Sequence, residues 1–314
     1  ELSAQTDTLQ ADLLNSDAYG TVDVRGDERV DFLRGDHVVG FKARNYKLGD
    51  IVQSSPLHVG RPQGGYGGAA YASFASGMSA RREMIYVGAN DGMVHGFDAQ
   101  TGAERIAYVP SAVYPNLSRL TDPDYGQTLL PHRYFVDGSP MSADVYVNGS
   151  WMTVLAGGLN AGGQAYYALD ITDPAGFFET SAAALDTVLW EFTDQDDADL
   201  GYTYNQPLIN YGVMQSAQIA KMNDGSWSLI VGNGYNNTEA DGHASTTGHA
   251  ALFVLDIGAG MDGGWDSADY TKIDTGVGST ARPNALATPT PIDIDGDGDI
   301  DIISDPPDYA DSLL

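Results

Sequence analysis

The sequence contains no cysteine. That one absence excludes a disulfide framework, a thiolate zinc site, an iron–sulfur cluster and a cysteine nucleophile. Basic residues are scarce too: 15 Lys and Arg stand against 43 Asp and Glu, for a formal net charge of -28. Such a surface repels a phosphate backbone, so neither DNA nor RNA is expected as a partner. Long apolar runs are also missing. No stretch reaches the roughly 18 residues of a membrane-spanning helix, and Glu1 opens directly on polar sequence, so neither a transmembrane segment nor a signal peptide is expected in this chain.

What the chain does hold is 38 Gly, 14 Pro, 18 Tyr, 9 Phe and 4 Trp, with 42% of residues hydrophobic. That mixture supplies a sizeable core and suits short strands joined by tight turns, so the expected fold class is all-β. The carboxylate surplus fits a protein living in millimolar Ca²⁺, and it fits a salty habitat equally well.

The first 47 residues read differently from the rest. Leu2, Leu9, Leu13 and Leu14 can share one side of a short helix over 1–18, and a second helix is expected over Asp27 to Leu33, capped by Asp27, stopped by Gly35 and with Val30 and Leu33 facing inward. These few apolar residues are too little for an independent core, so segment 1–47 is expected to pack on the domain formed by 48–314.

From Leu48 onward the chain repeats. Ser55-Pro56-Leu57, Ser139-Pro140-Met141, Gln206-Pro207-Leu208 and Thr290-Pro291-Ile292 share one pattern at spacings of 84, 67 and 84 residues. The first three are followed by an apolar run closing on glycine: Ile85 to Gly88, Val154 to Gly157 and Leu229 to Gly232. A second strand then ends on aspartate, at His95 to Asp98, Tyr167 to Asp170 and Phe253 to Asp256. Two copies show a further strand, Arg105 to Tyr108 and Val188 to Phe192. Recurring strands around variable inserts predict the blades of a β-propeller, since one small sheet cannot cover both of its own faces. The competing architecture is a β-sandwich. Inserted loops are expected at Tyr114 to Tyr134 and Asn236 to His249, where polar and turn residues dominate. The fourth copy runs into Pro306 and Pro307 with no second strand, so the propeller is expected to be incomplete at its C-terminal end and the chain to be a piece of a larger protein.

The strongest chemical signal is Asp293-Ile294-Asp295-Gly296-Asp297-Gly298-Asp299-Ile300-Asp301. Oxygen donors at loop positions 1, 3, 5 and 9, a backbone carbonyl at 7 and glycine at 6 are what a hard cation with six to eight oxygen ligands requires, and the flexible, carboxylate-rich loop favours Ca²⁺ over Mg²⁺. The expected ligands are Asp293, Asp295, Asp297, Asp301 and the Asp299 carbonyl. Ser304 stands where an EF-hand has its glutamate, and a strand pattern follows rather than a helix. Asp194 to Asp199 forms a second acidic run without the glycine and reads as a solvated loop. The six histidines show no zinc-type spacing, and Gly-x-Ser-x-Gly is absent. Arg61 to Gly68 lacks the Gly-Lys-Ser/Thr ending of a phosphate loop and reads as a flexible loop. Arg25-Gly26-Asp27 and Arg34-Gly35-Asp36 match integrin tripeptides in composition, and chance together with helix capping is the expected account of each.

Five stretches resemble one family in the family's own order: Leu48 to Pro56, Ile85 to Ala99 (IYVGANDGMVHGFDA), Leu155 to Thr172 (LAGGLNAGGQAYYALDIT), Asp197 to Pro207 (DADLGYTYNQP) and the loop at Asp293. It is the PilY1 family, in its C-terminal domain, the tip-associated proteins of type IV pili. The resemblance implies a modified β-propeller outside a Gram-negative cell, at the pilus tip or outer membrane. It implies roles in pilus biogenesis, in adhesion and in calcium-dependent control of pilus extension and retraction. The implied partners are pilus tip components (minor pilins) and host or abiotic surfaces. The family's calcium positions fall on Asp293, Asp295, Asp297, Asp299 and Asp301, whereas Ile302 to Pro306 departs from the family pattern. The expectation is a binding module and not an enzyme. One alternative is a quinoprotein dehydrogenase-like propeller, whose blade repeat also resembles Ile85 to Glu104. The other is a structural spacer that calcium merely stabilises.

Overall fold

The computed structural model describes residues 14–210, 215–293 and 298–301. Its framework is three four-stranded antiparallel sheets, each with its strands in chain order. The first comprises β1 (Leu57–Val59), β2 (Met84–Ala89), β3 (Met93–Asp98) and β4 (Glu104–Tyr108). The second comprises β5 (Met141–Val147), β6 (Ser150–Gly158), β7 (Ala165–Asp170) and β8 (Val188–Thr193). A short pair, β9 (Ile209–Asn210) and β10 (Gln215–Ser216), precedes the third sheet of β11 (Ile219–Lys221), β12 (Trp227–Gly232), β13 (His249–Asp256) and β14 (Tyr270–Gly278). The repeated apolar runs are therefore the second and third strands of successive blades.

Alternation along these strands stacks the sheets. In the second blade Leu155, Tyr167 and Leu169 pack with Met84, Tyr86 and Val94 of the first, while their neighbours Val154, Tyr166 and Ala168 pack with Leu229, Val231 and Phe253 of the third. Successive side chains of a strand point to opposite faces, so a sheet with near-continuous apolar sequence must be covered on both sides. Each such fully buried side chain contributes about 1.5–3 kcal/mol. The outer strands differ: β14 is largely exposed along YTKIDTGVG, and for that reason its sequence carries no strand-like apolar run.

Glycine closes the second strands because of what crosses them. A Cβ on Gly88 would lie 2.5 Å from the Val136 carbonyl oxygen, one on Gly158 2.5 Å from that of Thr203, and one on Gly232 2.1 Å from that of Leu286. Those oxygens belong to the segments that follow each blade, and only a residue without a side chain admits them.

Four α-helices whose full ranges are among the described residues accompany the sheets. α1 (Gly26–Leu33) begins at Gly26, and its capping differs from expectation: Asp27 sits in the first turn, and the Gly26 amide is taken by Asn15 Oδ1 at 2.7 Å. Gly35, at φ 107°, ends it as expected. Val30 and Leu33 lie in the same buried cluster as Leu14, Val59 and Tyr86. The helix expected over 1–18 falls mostly outside the described residues. The segment beyond the glycine-rich loop forms α2 (Ala69–Gly77), whose Tyr71 hydroxyl donates to Asp144 Oδ2 of β5 at 2.7 Å. The insert at 114–134 opens with α3 (Tyr114–Thr121), and Leu117 and Leu120 bury into the core, so this insert is partly a structural element rather than a polar loop. α4 (Ser181–Thr187) lies before β8 and buries no residue.

Candidate calcium loop and its surroundings

Of the five expected calcium ligands, Asp293, Asp299 and Asp301 are described, and Asp295 and Asp297 lie outside the described residues. Ile300 anchors the loop. Its amide donates to the Lys221 carbonyl at 2.8 Å, it bridges in parallel to Met222, and its side chain packs among Met222, Ile230, Leu252 and Val254. An apolar residue between two aspartates thus pins the loop to the end of β11.

The loop's polar groups are ordered around that anchor. Asp293 Oδ2 accepts the Gly298 amide at 2.9 Å, folding loop position 1 over position 6, and Gly298 sits at φ 96°, where a side chain would be strained. Lys221 Nζ holds both Asp299 carboxylate oxygens, at 2.8 and 2.7 Å, and Asn223 Nδ2 donates to Asp301 Oδ1 at 3.0 Å. The Asp299 carboxylate is thus engaged by Lys221, consistent with a position expected to use its backbone carbonyl. Carboxylate, carbonyl and a tight glycine turn are a donor set that fits a hard cation. Sequence reasoning missed Lys221 and Asn223. Their only signal was a Lys two residues before an Asn at the end of a strand, in a chain with few cations.

The second acidic run is solvated at Gln195 and Asp196 but not at its end. Asp199 is buried and Asp197 half-buried, and both bind Lys272 of β14, with Nζ 2.8 Å from Asp197 and 3.0 Å from Asp199. Asp199 also accepts from Thr247 Oγ1 at 2.8 Å and from the Ser245 hydroxyl, while Asp197 Oδ2 accepts from Tyr270 at 2.9 Å. Burial pushes the Asp199 carboxyl up, but hydrogen bonds from Ser245, Lys272 and Thr247 outweigh it and hold the group below the usual carboxylate range. This run fastens the insert around 236–249 to blade three.

His95 is the buried histidine. Its Nδ1 lies 2.6 Å from Glu104 Oε1 and its Nε2 3.1 Å from Asp91, whose other contact is the Gly49 amide at 2.6 Å. Burial alone would lower its pKa, and the two carboxylates reverse this, raising it to about 9. The Arg-Gly-Asp tripeptides serve α1: Arg25 binds Glu28 and the Val39 carbonyl at its start, and Arg34 pairs with Glu179 beyond its end.

The family described as the PilY1 beta-propeller domain matches residues 48–309. The Type IV pilus biogenesis factor PilY1 of Pseudomonas aeruginosa strain PAO1 is 36% identical over 289 residues, which cover 87% of this chain and 21% of that protein. A PilY1 homolog of Xylella fastidiosa, also named a type IV pilus biogenesis factor, is 39% identical over 242 residues, covering 71% of this chain and 18% of its own length. The crystal structure of the Pseudomonas aeruginosa PilY1 C-terminal domain superposes with a TM-score of 0.55 at 32% identity, over 78% of this chain and 42% of that one. The chain spans about a fifth of the length of the curated relatives it matches.

Proposed function

This chain belongs to the PilY1 β-propeller family, and from that premise we propose that it is the calcium-binding propeller of a type IV pilus biogenesis factor. It works on the outside of the cell by binding pilus tip components or surfaces, and catalyses no reaction. Ca²⁺ in the loop from Asp293 to Asp301 controls that binding, and through it pilus extension and retraction.

The observation that carries the calcium reading is the closed turn between Asp293 and Gly298, together with the diversion of the Asp299 carboxylate to Lys221. Five aspartates crowded into nine residues would repel one another without a cation, and the Lys221 pair relieves only Asp299. The test is titration calorimetry on thoroughly chelated protein, with parallel capture of minor pilins in calcium and in chelator. One Ca²⁺ should bind per chain, Asp297→Ala should abolish the heat, and Mg²⁺ should restore little. Absence of calcium heat from the parent chain would refute the site, whereas calcium binding with unchanged pilin capture would leave calcium as a stabiliser alone.

A further inference from the structure

A cavity of about 850 Å³ opens between the outer strand of blade one and the segment before the outer strand of blade two. Phe97, Ile106 and Tyr108 line it from β3 and β4, and Phe177, Phe178 and Ala184 from the 177–184 stretch. Its size falls within the roughly 300–1,000 Å³ of small-molecule sites. None of the described calcium-loop residues lines it.

Two features indicate that this space is not merely loose packing. Phe178 stands 68% exposed at the cavity, and α4, whose Ala184 and Thr187 form part of the wall, buries no residue of its own. An apolar ring and a helix without cover lie beside a concave apolar surface, an arrangement that an apolar occupant would complete.

The charges decide what kind of occupant. Arg34, Lys47 and Arg105 line the cavity, three of the chain's 15 basic residues in a protein of net charge -28. Its four carboxylates are already engaged: Asp91 by His95 and the Gly49 amide, Glu179 by Arg34, Glu104 by His95, and Glu191 by the Tyr108 hydroxyl and by the Ser111 amide at 2.9 Å. Lys47 and Arg105 have no hydrogen bond or ion pair among the described residues. A lining of mixed aromatic, aliphatic and charged groups, with two cations that no described side chain engages, matches a ligand with an apolar body and one acid group.

We infer that this cavity binds a small amphipathic acid, with its hydrocarbon body between β4 and the 177–184 stretch and its carboxylate at Lys47 and Arg105. Dodecanoate and dodecyltrimethylammonium carry the same tail with opposite charge, and calorimetric titration of each into the 314-residue chain, below their micellar concentrations, separates head from tail. Dodecanoate should bind one to one. The exposed pair Lys47→Gln and Arg105→Gln should weaken it on the order of tenfold without altering thermal unfolding, and Ala184→Trp should block the cavity. Equal affinity for the two detergents, an unchanged affinity in either variant, or no saturable uptake of dodecanoate would overturn the assignment.

Discussion

The backbone amide of Ser55 donates to the Ser139 hydroxyl at 2.9 Å, joining two residues that stand 84 positions apart in front of repeated prolines. The same offset recurs where the Gln53 amide meets Asp137 Oδ1 at 3.0 Å, and a similar one of 82 where the Gln206 amide meets Thr288 Oγ1 at 2.7 Å. The sequence period is thus a spatial one, because equivalent linkers of successive blades lie side by side. Beside Ser139, a Cβ on Gly138 would come within 2.0 Å of the Gly158 carbonyl oxygen. Ser139→Ala should cost about 1 kcal/mol, the worth of one hydrogen bond, and Gly138→Ala about 3 kcal/mol through backbone overpacking. Guanidinium unfolding of the two variants checks the ranking, which a reversed order would disprove.

Stability should fall in alkali because of His95. Its folded pKa of about 9 lies above the ordinary histidine value, so its contribution is complete below about pH 6.5 and is lost as pH rises through about 9. His95→Gln should flatten the stability curve across that window. An NMR titration that places the imidazole near its ordinary value would count against the paired carboxylates of Asp91 and Glu104 as the cause.

The acid limb has the opposite sign. Asp199 is held below its ordinary value, so its contribution is present above about pH 4 and disappears as pH falls through the lowered folded value. Asp199→Ala would leave Lys272 without one of its carboxylates and should destabilise blade three by about 3 kcal/mol. Asp194→Ala, at the other end of the acidic run, should change stability by less than about 0.5 kcal/mol. Equal costs in thermal unfolding would return the run to a uniform solvated loop.

Calcium should be visible at Ile300. Its amide is bonded to the Lys221 carbonyl at 2.8 Å, so an ordered loop protects it from hydrogen exchange. At a free concentration a hundredfold above Kd, Ca²⁺ should stabilise the folded chain by about 2.7 kcal/mol and slow exchange at Ile300. Asp297→Ala should remove both effects. Exchange at Ile300 indifferent to calcium in the parent chain would separate the loop from ion binding.

Much of the framework was decided by the sequence alone. Runs such as Ile85 to Gly88 and Leu229 to Gly232 state their own strand character and burial, since a short apolar run bounded by glycine has few other solutions. The repeat of those runs announced the blades, because that pattern is local in the chain, and the spacing of Asp293, Asp295, Asp297 and Asp301 with Gly298 is the equally local basis on which a cation loop is proposed. Other relationships required tertiary structure. Asp199 read as one acid among several until folding brought Lys272 from 73 residues away, and Asp299 acquired a partner only when Ile300 docked beside Lys221. β14 escaped notice because an outer strand owes its place to pairing with β13 rather than to its own apolar content. α2 escaped because a run of small residues has no strong period, and its position comes from Tyr71 reaching Asp144 across two blades. Local pattern therefore specified which segments become strands and turns. The choice of partner for each polar side chain waited for the fold, because burial removes water as the competing partner and leaves only the groups that packing brings within reach.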